Sequence, residues 1–162
     1  MDRETLEKAY QAALDAAARQ LSYRGLSAKA LREKLMQKGH TEDAADYALA
    51  WLTERRLLDD SRFAEDVVRS GMRRGYGQLR IRQELYKRGI DRETAEAAMQ
   101  AAYAPDDGAI YALLDKKLKG DTSDPKAVQR AVAYVQRRGY QWGEIRRALT
   151  AYGAAQDDFP DG

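Results

Sequence analysis

Apolar residues recur every three or four positions along most of the chain, which is the period of an amphipathic helix. In the first such stretch, one apolar stripe predicts a helix over about 4–22; its members are Leu6, Tyr10, Leu14, Ala17 and Leu21. The same period returns in every later segment, and few segments are rich in β-branched residues, so sheet is disfavoured. The pattern predicts an all-α fold of about nine helices.

Polar residues suited to helix N-caps divide the chain into shorter helices. Ser27, Thr41, Asp91 and one of residues 59–61 each precede an apolar stripe, and glycines follow most stripes. Serine, threonine and aspartate favour the N-cap, whereas glycine favours the residue after a helix. We therefore predict three-helix units over 1–59, 60–104 and, in divergent form, 105–153, followed by a flexible tail over 154–162.

One motif occurs three times, beginning at Gly25, Gly75 and Gly139. Each copy continues with a large apolar residue, then an aliphatic residue followed by arginine, and then a leucine. The intervals are 50 and 64 residues, as in a helical repeat protein. The first two copies fall on the middle helix of a unit and the third on a last helix. A shifted frame and an inserted helix both remain open.

Basic residues cluster around this motif. Residues 69–92 contain eight basic residues and two acidic ones, although the whole chain has a net charge of only +2. Such an excess indicates an anionic partner; the alternative is that these residues solvate helix faces, with Arg80 paired to Glu84. The predicted binding surface is a basic ridge consisting of Arg24, Arg32, Arg73, Arg74, Arg80, Arg82, Lys87, Arg88, Arg137, Arg138, Arg146 and Arg147.

Several classes of site find no support in the sequence. The chain has no cysteine and one histidine, His40, in a predicted turn. Its glycines match no phosphate-binding loop, and its acidic residues match no calcium loop. We therefore expect no enzyme activity, no metal and no cofactor. No apolar run approaches the roughly 18 residues that span a bilayer, and the N-terminus is too polar for a secretory signal. We expect a cytoplasmic protein without membrane contact.

Specific segments resemble the RecX family, regulators of the RecA recombinase. The similarity is carried by residues 57–64, 75–85 and 87–90, and also by 137–140 and 145–146. Gln78 departs from the pattern, because many relatives carry proline there. The resemblance implies tandem three-helix, helix-turn-helix-like repeats in an elongated, curved molecule. It also implies binding in the groove of the RecA filament on single-stranded DNA, which restrains recombination and the SOS response. We expect a monomer, with weak contact to single- or double-stranded DNA.

Other functions are compatible with the same residues. The first alternative is a DNA-binding protein built from helix-turn-helix-like repeats, since a basic helix in a three-helix unit suits groove docking. A helical scaffold unrelated to nucleic acid is the second alternative. Binding through phosphates would weaken steeply as salt rises, which separates the first alternative from a regulator that chiefly binds protein.

Overall fold

A computed structural model describes residues 2–154 and 159, and within these residues the chain forms nine α-helices and no strand. The helices are α1 (Arg3–Tyr23), α2 (Ala28–Gln37), α3 (Glu42–Glu54), α4 (Asp60–Arg73), α5 (Gln78–Lys87), α6 (Arg92–Ala102), α7 (Asp107–Leu118), α8 (Pro125–Arg137) and α9 (Trp142–Tyr152). The all-α prediction is confirmed. None of these helices is long and apolar enough to cross a membrane.

The predicted N-caps do cap helices. Ser27, Thr41 and Asp91 each accept a hydrogen bond from the backbone N–H three residues later, at 3.0, 3.2 and 2.8 Å. Of the three candidates before α4, Asp59 takes this role with a bond of 3.1 Å from the N–H of Arg62. Each cap satisfies a donor that the first helical turn would otherwise leave unpaired.

The helices are distributed over two compact units. The N-terminal unit contains Met1–Asp66 and Leu85–Ala98, and the C-terminal unit contains Val67–Glu84 and Met99–Gly162. The chain therefore passes from one unit to the other three times, within α4, α5 and α6. Each unit has its own apolar core, described next.

In the N-terminal unit, α1 packs chiefly on α3, and α2 packs on both of these helices. Its core contains Ala13, Leu14, Ala16, Ala17, Leu26, Leu31, Leu35, Ala44, Ala45, Ala48, Leu52 and Leu58. In the C-terminal unit, α7 packs on both α8 and α9. Its core contains Ile110, Leu114, Leu118, Val128, Ala131, Val132, Val135, Tyr140, Ile145, Ala148, Leu149 and Ala154. The motif leucines Leu35 and Leu149 are fully buried, as their spacing predicts.

One turn recurs at equal intervals and fixes the frame of the third repeat. Gly39, Gly89 and Gly139 follow α2, α5 and α8, and all three have positive φ, at 93°, 85° and 99°. They are 50 residues apart. A left-handed glycine at this place ends a helix without the strain that a side chain would add.

The third copy of the motif therefore belongs to a different place in its repeat. Gly139 corresponds to Gly39 and Gly89, not to Gly25 and Gly75. As a result, Arg146 is seven residues past the turn glycine, a position that Asp46 and Glu96 occupy in the first two repeats. A shifted frame, without an inserted helix, accounts for the interval of 64 residues.

The predicted flexible tail, 154–162, lies outside the described residues except for Ala154 and Phe159. Ala154 is buried in the core of the C-terminal unit. The ring of Phe159 meets that of Trp142 edge-on, with 6.1 Å between centroids.

Candidate partner-binding surface

In the N-terminal unit, Arg32 is committed to a structural ion pair. Its Nε donates to Asp46 Oδ1 at 2.9 Å, and its Nη2 lies 3.9 Å from Glu42 Oε1. The hydrogen bond and the negative charge of Asp46 raise the pKa of the Arg32 guanidinium. This contact links α2 to α3, so the motif arginine of the first repeat helps to orient two helices.

The other three predicted residues of this unit differ in exposure. Arg24 and Lys87 are exposed, whereas Arg88 is half-buried. The backbone carbonyl of Arg88 accepts a hydrogen bond of 2.7 Å from the hydroxyl of Ser27. The fully buried Ser27 therefore donates to the turn at Gly89 while it caps α2.

In the C-terminal unit, Arg138 is also structural. Its Nε donates to the carbonyl of Gly75 at 3.2 Å, and its Nη2 donates to the carbonyl of Arg74. Its guanidinium carbon lies 4.9 Å from the ring centroid of Tyr76. Arg138 thus donates to carbonyls just beyond the end of α4, where the helix dipole favours a cation.

Three further arginines of this unit have local partners. Arg80 lies over the ring of Tyr76, at 4.5 Å from the centroid, and its pairing with Glu84 stays a prediction. A cation over an aromatic face is an alternative source of stabilisation. Arg82 Nη1 donates a hydrogen bond of 3.0 Å to Gln78 Oε1. Arg147 Nη2 lies 3.4 Å from Asp107 Oδ1, as an ion pair.

The remaining predicted arginines of the C-terminal unit are Arg73, Arg74, Arg137 and Arg146. All four have exposed side chains, and no ion pair with another described residue engages them. They are therefore the predicted residues of this unit that are most available to a partner. The single ridge predicted across residues 73–88 draws on both units and stays a prediction.

Two turns of the C-terminal unit meet through their backbones. The N–H of Gly77 donates to the carbonyl of Arg138 at 2.9 Å, and the N–H of Leu79 donates to that of Gly139 at 3.0 Å. A Cβ atom at Gly139 would lie 2.4 Å from Arg80 Cβ, and one at Gly77 would lie 2.4 Å from the nitrogen of Tyr140. Glycine is required at both positions because the two backbones approach too closely for a side chain.

A buried carboxylate lies beside this contact. Glu144 is only 6% exposed, and it accepts hydrogen bonds of 3.0 Å from both Gln78 Nε2 and the hydroxyl of Tyr103. It also caps α9 through the N–H of Gln141, at 3.4 Å. Burial and the charge of Glu144 raise the pKa of the Tyr103 hydroxyl well above its ordinary value.

Sequence reasoning missed four residues that the structure brings into prominence. Glu144 gave no signal, since a glutamate at the third position of a helix is ordinarily exposed. Lys117, Arg130 and Tyr134 line a groove with Arg137. The spacing of residues 130, 134 and 137, at one and two helical turns, would have revealed their common face.

Metal-ligating side chains do not gather in the part of the chain that the structure describes. No group of three or more histidine, aspartate or glutamate residues there could hold a metal ion.

Comparison with known proteins identifies all three repeats. The first three-helix domain of RecX matches residues 13–52, the second matches 59–99 and the third matches 106–149. Regulatory protein RecX of Halorhodospira halophila is 34% identical over 151 residues, which cover 93% of this chain and 92% of that protein. Regulatory protein RecX of Vibrio parahaemolyticus is 36% identical over 139 residues, covering 84% and 88%.

Solved structures show the same fold. The crystal structure of RecX from Lactobacillus salivarius superposes with a TM-score of 0.84, covering 90% of this chain and 97% of that chain. A second crystal structure of regulatory protein RecX gives 0.77, covering 93% and 80%. Their sequence identities are 22% and 19%, so this likeness concerns the fold alone.

Proposed function

This chain belongs to the RecX family, and we propose that it regulates RecA by binding RecA filaments on single-stranded DNA. The observation that carries the proposal is the match of all three RecX domains, in order, along one chain. The relatives bear the name regulatory protein. Binding of this kind would restrain filament activity, recombination and the SOS response in the cytoplasm. It needs no catalytic group and no cofactor.

The arginines with exposed side chains are the proposed contacts. A nucleoprotein filament presents phosphates and carboxylates, and guanidinium groups bind both with directed hydrogen bonds. Arg73, Arg74 and Arg146 can meet such a surface without breaking an internal contact. Arg32 and Arg138 are poor candidates, because each already stabilises the fold.

Charge reversal at the exposed arginines tests the proposal. A variant combining Arg73→Glu, Arg74→Glu and Arg146→Glu should lose most of its inhibition of RecA-driven strand exchange, because like charges would oppose the filament. Circular dichroism and thermal melting should show a retained fold. Full inhibition by this folded variant would mean that the exposed arginines take no part in regulation.

A matched control carries the same change of charge elsewhere. Arg3→Glu, Lys8→Glu and Arg19→Glu alter exposed residues of α1, where Arg3 pairs with Glu7 and Lys8 pairs with Glu4 on the same helix. This variant should inhibit strand exchange nearly as well as the unaltered protein. Equal losses in both variants would show that net charge, not a defined surface, determines inhibition.

A DNA-binding protein without affinity for RecA is the second candidate function, and the basic groove at Arg130 and Arg137 favours it. Pull-down by RecA filaments, compared with bare single-stranded DNA at two salt concentrations, separates the two. Retention that requires RecA and falls little with salt supports the regulator. Equal retention on bare DNA, with a steep loss at higher salt, supports the DNA-binding protein.

A further inference from the structure

An open groove lies along the outer face of the third repeat. It has a volume of about 460 Å³ and is lined by Lys117, Ala127, Arg130, Ala131, Ala133, Tyr134 and Arg137. These residues come from α7 and α8, which pack on one another within the C-terminal unit. Three of the seven lining residues are basic and none is acidic, so the groove favours an anion.

The groove has a regular arrangement of charge and aromatic surface. Arg130, Tyr134 and Arg137 follow one another at one-turn intervals, on the side of α8 that faces away from the buried Val128 and Val132. The two arginines are separated by about 10 Å along the helix axis, from a rise of 1.5 Å per residue. Tyr134 is half-buried between them.

The cations of the groove are weakly compensated. Lys117 Nζ lies over the ring of Tyr134 at 4.4 Å from the centroid, and no carboxylate among the described residues pairs with Lys117 or Arg137. Arg130 reaches Asp124 only at 4.0 Å, between two largely exposed side chains. A ligand with negative charges would therefore displace no strong internal ion pair.

We propose that this groove binds single-stranded nucleic acid. Lys117 would move from the ring of Tyr134 to a phosphate, Arg130 and Arg137 would hold further phosphates, and a base would take the place of Lys117 against the ring. Cations interleaved with an aromatic ring are what single strands require, because stacking and phosphate contact then act together. The other lining residues are three alanines, whose side chains are small. An acidic peptide would satisfy the charges but would leave the aromatic surface without a specific role.

The groove would be the place where this protein contacts DNA. The proposal rests on the proposed function only in taking the RecA filament as the source of the single strand. Binding can therefore be measured without RecA. The full chain is titrated into a short fluorescent oligothymidylate, and anisotropy is recorded at low and at physiological salt. Binding of the unaltered protein should weaken as salt rises.

Two kinds of variant separate charge from stacking. Arg130→Glu with Arg137→Glu should reduce affinity by roughly tenfold or more, and the slope of log affinity against log salt should become shallower by about 0.7 for each lost phosphate contact. Tyr134→Ala should reduce affinity about tenfold, since each stacked base contributes on that scale. Tyr134→Phe keeps the ring and should bind like the unaltered protein. Melting curves verify that each variant is folded.

The control is Arg3→Glu with Arg19→Glu, which gives the same change of charge on exposed residues of α1. Equal weakening in this control would overturn the proposal, because binding would then be diffuse. Absence of oligothymidylate binding would also overturn it, as would binding of a glutamate-rich peptide alone, which would indicate a docking site for protein. Strand exchange with the Arg130 and Arg137 variant tests the RecA proposal separately, since inhibition can persist without groove binding.

Discussion

In the N-terminal unit, the turn at Gly89 is held by a side chain, whereas in the C-terminal unit the equivalent turn at Gly139 is held by the backbone. Ser27 provides the first contact, with 2.7 Å from its hydroxyl to the carbonyl of Arg88. Gly77, which is 50 residues after Ser27, provides the second with its own N–H at 2.9 Å from the carbonyl of Arg138. The same place in the repeat thus accepts two chemically different solutions.

The exchange of serine for glycine explains the difference. Without a side chain at Gly77, the two backbones approach until a Cβ there would lie 2.4 Å from the nitrogen of Tyr140. Buried N–H and carbonyl groups must be paired, and the close approach allows the backbone to pair them directly. Glu144 adds side-chain bonds to Gln78 and Tyr103 beside this contact. We infer that the C-terminal unit tolerates less change at its turn.

The largest predicted effect is at the turn glycines themselves. Gly139→Ala should lower the free energy of unfolding by about 3–5 kcal/mol, because left-handed strain adds to overpacking against Arg80. Gly39→Ala has a similar positive φ but no neighbour within 4 Å, so it should lower it by only about 1–2 kcal/mol. Urea denaturation measures both.

Gly89→Ala should fall between these two variants. Its Cβ would lie 2.9 Å from Ser27 Oγ, a side-chain atom that can shift, whereas the atoms facing Gly139 include the backbone nitrogen of Arg80. Equal losses at Gly139 and Gly39 would mean that the close backbone approach contributes nothing to stability.

The next largest effects should come from removing polar contacts, and the loss should differ between the two units. Glu144→Ala should lower the free energy of unfolding by about 2–4 kcal/mol, because hydrogen bonds to a buried charged group are strong and their donors would be left unpaired. Ser27→Ala removes an N-cap and one bond and should cost about 1–2 kcal/mol. The exposed Glu4→Ala should change stability by under about 0.5 kcal/mol. The ordering is contradicted if the Ser27 variant melts first in denaturant.

The smallest predicted effect is a dependence on alkaline pH. The pKa of Tyr103 is raised in the folded state, so the folded protein holds this proton above the pKa of about 10 that tyrosine has when unfolded. The stabilisation is complete below that pH and is lost as pH rises through the folded pKa. Tyr103→Phe should therefore show less loss of thermal stability between neutral pH and pH values above about 10.

This difference between variants isolates Tyr103 from the other tyrosines, which are present in both proteins. Parallel stability curves for the Tyr103→Phe variant and the unaltered protein over this alkaline range would show that Glu144 and burial do not hold the Tyr103 proton.

The positions of several helices and of their N-caps can be predicted from the sequence. The stripe from Leu6 to Leu21 predicts α1, and Ser27, Thr41 and Asp91 predict the starts of α2, α3 and α6. These features depend on neighbours within one or two helical turns, so a linear pattern contains them. Gly39, Gly89 and Gly139 are also equally spaced in the sequence, but Gly139 begins the third copy of the motif of Gly25 and Gly75, and this obscures the frame of the third repeat.

The sequence by itself therefore determined the helices, their caps and the repeat, because each follows from periodicity and from residues close along the chain. Only the tertiary structure decided the role of each arginine. Arg138 binds carbonyls 63 and 64 residues away and Arg32 binds Asp46, whereas Arg73 and Arg146 stay exposed. A guanidinium is chemically the same in every one of these places, and its role depends on which distant groups the folded backbone brings within reach.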